Sequence, residues 1–226
     1  MKALSQLRVI FLFEDLSDAE LARIAELCTI RSYEKGVQIA GQLDSSTDVF
    51  FVLSGTVRVS SYAPTGREVI YTEISKGGIF GEFAAVDGLP RSTNGIAVTE
   101  CVLARMTAAK FHDMLVANGA IATRLVESLV AKIRQMTERV FEVSALAVRE
   151  RVRRELLRLA ESGRALADGI IIHPAPTHYE IAARIGSHRE AVTREFNRLE
   201  AEHIVEVRRR EIRIVDIGQL REVGEA

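Results

Sequence analysis

From Ile121 to Ser162 the chain contains neither glycine nor proline, and no other feature constrains its fold as strongly. Across that stretch apolar residues recur at Leu125, Leu129, Ile133, Met136, Val140 and Val143, with polar residues between them. Steps of three and four place them on one narrow helical stripe, which suits a coiled-coil seam better than the broad face of a core helix. The expected dimer interface is therefore Leu129, Ile133, Met136 and Val140, each meeting its counterpart in a second copy. The alternative is that the stripe packs on the chain's own N-terminal part. Helical spacing resumes at Val148, Val152, Leu156 and Leu159 and stops at Ser162-Gly163, with a break in the seam near Ala145–Val148.

Ahead of this helix the texture is different. Short β-branched and aromatic runs at Cys28–Tyr33, Val37–Ala40, Val49–Leu53, Thr56–Tyr62, Glu68–Ile74, Gly95–Val98 and Cys101–Met106 are separated by glycine-containing turns. A turn about every ten residues indicates an antiparallel sandwich or barrel. A short amphipathic helix over Leu16–Leu27, with Ser17 as N-cap, precedes the strands. Another over Ala108–Ala117 follows them, with Asn118-Gly119 expected to stop it in a left-handed conformation. The fold class is α+β, with domains at 1–118, 119–146 and 147–226.

The 226 residues carry a net charge of only −1, so any affinity for a polyanion must come from charge placement. From Ala147 onward there is no lysine, and arginines gather at Arg189, Arg194, Arg198, Arg208-Arg209-Arg210 and Arg213. The planar arginine fork suits phosphates and guanine edges, although a solvated basic face is the plain alternative. Cys28 and Cys101 are far apart and read as reduced core thiols, with no metal framework. No apolar run reaches the about 18 residues of a membrane span, and Met1-Lys2-Ala3-Leu4-Ser5-Gln6 lacks a charged-then-apolar leader pattern. A cytoplasmic location without membrane association is expected.

Thr177-His178-Tyr179-Glu180 has the form of a capping box, so a helix should begin there and bury Ile181, Ala182 and Ile185. Gly186 permits a sharp turn. A second helix from Ser187 or His188 would bury Ala191, Val192, Phe196 and Leu199 and leave Arg189, Glu190, Arg194 and Arg198 outward. Two short helices joined by a glycine turn, the second exposing charged forks, form a helix-turn-helix. Ile204–Arg208 and Glu211–Val215 then read as a two-stranded wing around Arg209-Arg210. A helical hairpin with a charged surface is the bland alternative.

The run Glu180-Ile181-Ala182-Ala183-Arg184-Ile185-Gly186-Ser187-His188-Arg189-Glu190-Ala191-Val192-Thr193-Arg194 resembles the recognition unit of the CRP/FNR family, the relatives of the cyclic-AMP receptor protein. The resemblance extends over nearly the whole chain. It implies an N-terminal β-roll, a long dimerisation helix and a C-terminal winged helix-turn-helix acting on double-stranded DNA with palindromic, TGTGA-like half-sites. It also implies a homodimer and contact with RNA polymerase. On this resemblance Arg189 and Arg194 read guanine and Glu190 accepts from cytosine. Thr177 and His188 stand at the helix starts, and Arg209 would hold the backbone. His188 stands where relatives often have a small hydroxyl residue.

Gly81-Glu82-Phe83 followed by Pro90-Arg91-Ser92 can clasp an anion. A glycine turn opens backbone N–H groups, Arg91 and the Ser92 hydroxyl suit phosphate oxygens, and Glu82 suits a sugar hydroxyl. The alternative is a loop with one surface arginine and a turn glutamate. The segment is similar to the phosphate cassette of cyclic-nucleotide-binding domains, which implies ligand contacts from Gly81, Glu82, Phe83, Arg91 and Ser92. Two positions depart from it. Thr93-Asn94 replaces a small residue, and Met136-Thr137 stands where adenine-clamping relatives have Thr-Ser, leaving Thr137 to contact the base. Cyclic AMP is placed ahead of cyclic GMP, with no metal. His112, His173, His178 and His203 read as surface or turn residues. The rival functions are a regulator of the same fold that binds no nucleotide, and an enzyme. For the enzyme the sequence offers no nucleophile elbow, Walker loop or paired carboxylates.

Overall fold

The computed structural model describes residues 6–166 and 169–222, so the leader reading of Met1–Ser5 lies outside it. The chain divides into two compact units, one through Lys132 and the other from Ile133. Among the described residues no single helix is long and apolar enough to cross a membrane.

The first unit opens with helix α1 (Asp18–Leu27), started by a full capping box in which Ser17 N–H donates to the Glu20 carboxylate at 2.9 Å. Strands β1 (Thr29–Tyr33), β2 (Gln38–Ala40), β3 (Val49–Ser54), β4 (Thr56–Tyr62), β5 (Glu68–Ser75) and β6 (Ile79–Phe80) follow. After helix α2 (Glu82–Asp87) come β7 (Asn94–Ala97), β8 (Cys101–Met106) and α3 (Ala108–Ala117). They form two antiparallel sheets in the orders β1-β8-β3-β6 and β2-β7-β4-β5. The unbroken apolar run of β3 has a physical reason: the strand is covered on both faces. Val49, Phe51 and Leu53 meet a cluster with Phe13, Leu21, Ile24, Met106 and Phe111. Phe50 and Val52 meet Val57, Phe80, Ala97 and Leu103 on the other side, where Phe50 and Phe80 stack at 4.8 Å. Both cysteines are free thiols, and burial pushes Cys28 up to about 12, which removes it from thiolate chemistry.

Helix α4 (Gly119–Ala145) is the glycine-free and proline-free segment after its first residue, and the division between the units falls within it. One expectation beside it needs correcting, the left-handed conformation of Asn118. Asn118 is not left-handed. Its backbone is extended; its N–H donates to Met114 O at 3.1 Å and so ends α3 as expected, while its side-chain oxygen accepts from Ala120 and Ile121 N–H at 3.1 and 3.2 Å and starts α4. Of the expected seam, Ile133 and Val140 are exposed. Leu125 is buried and Leu129 half-buried in the first unit's own core, as the alternative reading held, and Met136 is half-buried. The stripe left exposed is Val126, Val130, Ile133 and Val140, with Ile133 and Val140 near two-thirds exposed.

The second unit continues with α5 (Val148–Glu161), β9 (Arg164–Leu166), β10 (Gly169–Ile172), α6 (His178–Ile185), α7 (Arg189–Ala201), β11 (Val205–Arg208), β12 (Glu211–Ile214) and α8 (Ile217–Arg221). The expected two-stranded wing is part of a larger sheet, β11-β12-β10-β9. The Ile170-Ile171-Ile172 run pairs with β12 because Ile172 and Ile212 share the core with Val152, Leu156, Phe196 and Leu199.

Across the break at Leu146-Ala147 the helices are joined by charge. Glu142 of α4 and Glu155 of α5 have side chains only 2% exposed. Arg158 bonds Glu142 through both terminal nitrogens at 2.7 and 3.1 Å and Glu155 through Nε at 3.1 Å, and its charge is held above the ordinary arginine range by these two carboxylates against the opposing cost of burial. Arg139 reaches Glu155 at 2.9 Å, Arg154 reaches Glu142 at 3.6 Å, and Arg184 of α6 reaches Glu155 at 3.5 Å. Removing one partner from a buried pair strands the other charge, which costs about 3–5 kcal/mol when no substitute is near. Arg154 and Arg139 remain, so Arg158→Ala is expected to destabilise the second unit by about 3 kcal/mol. The replacement of both partners, Glu142→Leu with Arg158→Met, should recover part of that loss. Urea unfolding of the two variants checks the order, and equal losses would count against a charge-specific clamp.

Candidate functional site: an anion cassette and a helix-turn-helix

In the first unit, Gly81 sits at φ +84° between β6 and α2. A side chain there would begin 2.4 Å from Arg91 Nη1 and 2.6 Å from the Asp48 carbonyl oxygen, so glycine is required by both torsion and space. Glu82 follows as the first residue of α2 and is buried, as is Arg91. The surface-loop alternative is thereby set aside for these two residues. Arg91 donates from Nη1 to Gly81 O at 3.0 Å, from Nη2 to Asp48 O at 2.7 Å and from Nε to Ser46 Oγ at 3.2 Å. Its backbone also closes the loop, with Arg91 N donating to Asp44 O and Leu43 N donating to Arg91 O, both at 2.9 Å. Desolvation lowers the arginine's pKa, opposed by the nearby Asp48, Asp44 and Glu82 charges.

Glu82 accepts from Lys132 Nζ at 2.5 Å, and the ammonium also lies 5.8 Å from the ring centre of the half-exposed Phe83. Ser92 is exposed. Asn94, one of the departures from the cassette, has a structural role: its Oδ1 accepts from Gln42 N–H at 2.8 Å and its Nδ2 donates to Ser60 O at 3.3 Å. Thr137 belongs to the second unit, and its hydroxyl donates to Ile133 O at 3.0 Å, which leaves it only acceptor capacity. Sequence reasoning did not find Ser46, Asp48 or Lys132, which lie more than 40 residues from the groups they bind.

In the second unit Thr177 caps α6, accepting from Glu180 N–H at 3.2 Å while its own N–H donates to the Glu180 carboxylate at 2.8 Å. Its polar atoms are thus engaged in the box. Gly186 ends α6 at φ +64°. His188 is the exposed N-cap of α7, without a side-chain capping bond. Arg189, Glu190 and Arg194 project from α7 into solvent, opposite the buried Val192, Phe196 and Leu199. Arg198 also points outward but is tied to Glu202 at 2.8 Å. Arg209 is exposed at the wing tip beside Arg210, which turns the hairpin at φ +60°. His178 is not the surface residue expected: its Nδ1 lies 2.9 Å from Thr193 Oγ1, and its ring packs 4.5 Å from that of Phe196.

Residues 30–118 match the model of the cyclic nucleotide-binding domain, and residues 150–223 match that of the Crp-like helix-turn-helix domain. The chain is 28% identical over 181 residues to the cAMP-activated global transcriptional regulator CRP of Haemophilus influenzae, covering 79% of this chain and 80% of that protein. The chain belongs to the CRP/FNR family of transcription regulators. Among solved structures it superposes on a CooA mutant from Carboxydothermus hydrogenoformans with a TM-score of 0.80 at 20% identity, covering 96% of this chain and 98% of that one. The c-di-GMP-responsive regulator CLP of Xanthomonas campestris gives 0.77 at 18% identity, covering 88% and 100%. These two likenesses show the shared fold. The CRP/FNR family is one of DNA-binding transcription regulators and is not an enzyme class.

Both the glycine torsion and the close approach of Arg91 predict that Gly81→Ala is severe for this regulator. A left-handed alanine alone costs about 1 kcal/mol, and the Asp48 carbonyl belongs to backbone that must also shift. A loss of about 2 kcal/mol or more is expected in the urea unfolding of the first unit. A change under about 0.5 kcal/mol would mean that the turn is not tightly held.

Proposed function

We propose that this family member is a cytoplasmic homodimer that binds palindromic, TGTGA-like DNA and is controlled by a cyclic nucleotide, with cyclic AMP preferred to cyclic GMP. The observation that carries the ligand reading is Arg91: a buried guanidinium beside the Gly81-Glu82 turn, bonded through three of its five N–H groups. Two N–H groups are left for the oxygens of a phosphate. In this reading Arg91 and the Ser92 hydroxyl hold the phosphate, the α2 N-terminus faces its charge, Glu82 accepts from the ribose and Phe83 lies beside the base. A ligand must displace Lys132 from Glu82 or share it. That contact also favours a second reading, in which the cassette is internally satisfied and the regulator answers to no cyclic nucleotide.

Pairing is assigned to the exposed stripe of α4, with Val126, Val130, Ile133 and Val140 spaced by four, three and seven residues in the manner of a coiled-coil seam. Within a dimer, two recognition helices reach successive major grooves about 34 Å apart. Arg189, Glu190 and Arg194 then read base edges, and Arg209 and His188 contact phosphates. Contact with RNA polymerase follows the family pattern.

Calorimetry with cyclic AMP and cyclic GMP, together with DNA titration on the palindromic probe with and without each nucleotide, separates the two readings. Ser92→Ala removes a hydroxyl that is exposed in the fold, and should weaken nucleotide binding about tenfold through loss of one bond to a charged group. No heat with either nucleotide favours the internally satisfied cassette, and parent-like binding in Ser92→Ala removes Ser92 from the phosphate contacts. For the DNA end, Arg194→Ala should cost about 1–3 kcal/mol per half-site on the cognate probe and relax discrimination at one guanine. Arg209→Ala should weaken cognate and scrambled probes alike and reduce the salt slope by about one unit per subunit. Matched salt titrations check both, and reversed behaviour of the two variants would overturn the assignment.

A further inference from the structure

Three observations meet at His178, the first residue of α6. Its ring rests on Phe196, its Nδ1 is 2.9 Å from Thr193 Oγ1, and that hydroxyl donates to Arg189 O at 2.9 Å. A hydroxyl has one proton to give. With that proton committed to the Arg189 carbonyl, Thr193 accepts from His178, so Nδ1 carries hydrogen and Nε2 is the nitrogen left to gain or lose a proton. Adding a proton to Nε2 leaves the Nδ1 bond to Thr193 intact. The side chain therefore holds the first helix of the motif to the second in either protonation state, and what changes is the charge placed next to Arg189.

We infer that His178 is a protonation-coupled DNA contact: it positions the recognition helix through Thr193, and its Nε2 takes up a proton when a backbone phosphate approaches the start of α6. This rests on reading the helix-turn-helix as the DNA-binding part of the chain. In a helix-turn-helix the first helix crosses the DNA backbone, and the start of that helix meets the phosphates. A partly buried imidazole bonded to the recognition helix lies at that junction.

The electrostatics of the free protein have the matching sign. Desolvation first and the Arg189 charge second lower the pKa of His178, and Glu200 of α7 opposes them. On its own helix, Glu180 is engaged in the capping box; from α5, Arg151 and Glu155 reach the far end of α6, at Ile185 O and Arg184. A group with a depressed folded pKa is neutral in the free protein, and its stabilising contribution is lost as pH falls. A phosphate reverses the balance by supplying an anion to the protonated ring. Proton uptake on binding then makes DNA affinity rise as pH falls through the histidine range.

The test uses the full chain with two duplexes, the TGTGA-type palindrome and a scrambled sequence of equal length, at constant ionic strength between about pH 6 and about pH 8. Affinity for both duplexes is expected to rise roughly fivefold per subunit toward the acid end, since a phosphate contact is blind to sequence. His178→Gln, which can still donate to Thr193, should keep the base preference and lose the pH slope. His112→Gln, at an exposed histidine of α3 in the first unit, should keep the slope. A slope that survives His178→Gln, or a flat parent profile, overturns the inference. A parent that binds both duplexes equally but with the slope points to an error in the half-site reading alone. If His178→Gln fails to fold, the imidazole resonance of His178 in the parent decides: its titration midpoint should rise when scrambled duplex is added, and an unchanged or lowered midpoint overturns the inference.

Discussion

The DNA-binding unit depends on two carboxylates that have no water. Glu142 and Glu155 are buried to the same degree as the aliphatic core around them. A carboxylate removed from solvent loses hydration worth several kcal/mol even after relaxation, so it must find cations and hydrogen bonds in return. Arg139, Arg154, Arg158 and Arg184 supply these from three helices. An apolar contact between α4, α5 and α6 would allow sliding, whereas the two-pronged bond of Arg158 to Glu142 fixes distance and rotation together. The end of the long helix is thus tied to the helices on which the recognition helix packs. A change in the direction of that end has little slack to cross before it reaches α6.

The first unit solves a related problem with neutral partners. Arg91 is buried and bonded to two carbonyls and a hydroxyl, with the Asp44 and Asp48 charges nearby. The same side chain that suits a phosphate therefore also pins the loop from Gly41 to Asp48 and the Gly81 turn. A guanidinium already aligned by carbonyls has less rotamer entropy to lose on meeting an anion, which favours binding. Its existing bonds make the anion compete, and so does the hold of Lys132 on Glu82. The balance of these effects decides which effector, if any, this family member senses.

Charge acts through placement throughout the molecule. A chain with net charge −1 has no long-range attraction for DNA. The second unit makes up for this locally. Its buried arginines are paired within the fold, while Arg189, Arg194 and Arg209 remain exposed, and His178 adds a charge that depends on proton concentration.

The sequence by itself determined whatever depends on neighbours a few residues apart. The helix starts at Ser17 and Thr177, the glycine turns at Gly81 and Gly186 and the outward set Arg189, Glu190 and Arg194 all follow from local sterics and period, and all were legible in advance. Local pattern misled where two solutions share one period. Asn118 was legible as a helix stop, but it is extended rather than left-handed, and its side chain also starts the next helix. Leu125 and Leu129 share the period of the seam, yet they find burial within their own unit. What only the tertiary structure decided were pairings with no sequence period: Arg91 with Ser46 and Asp48, Glu82 with Lys132, Glu155 with Arg184 and His178 with Thr193. Each joins groups that chain folding brings together from separate elements. The energy of each lies in desolvation and hydrogen-bond geometry, quantities that exist only once the surrounding core has excluded water.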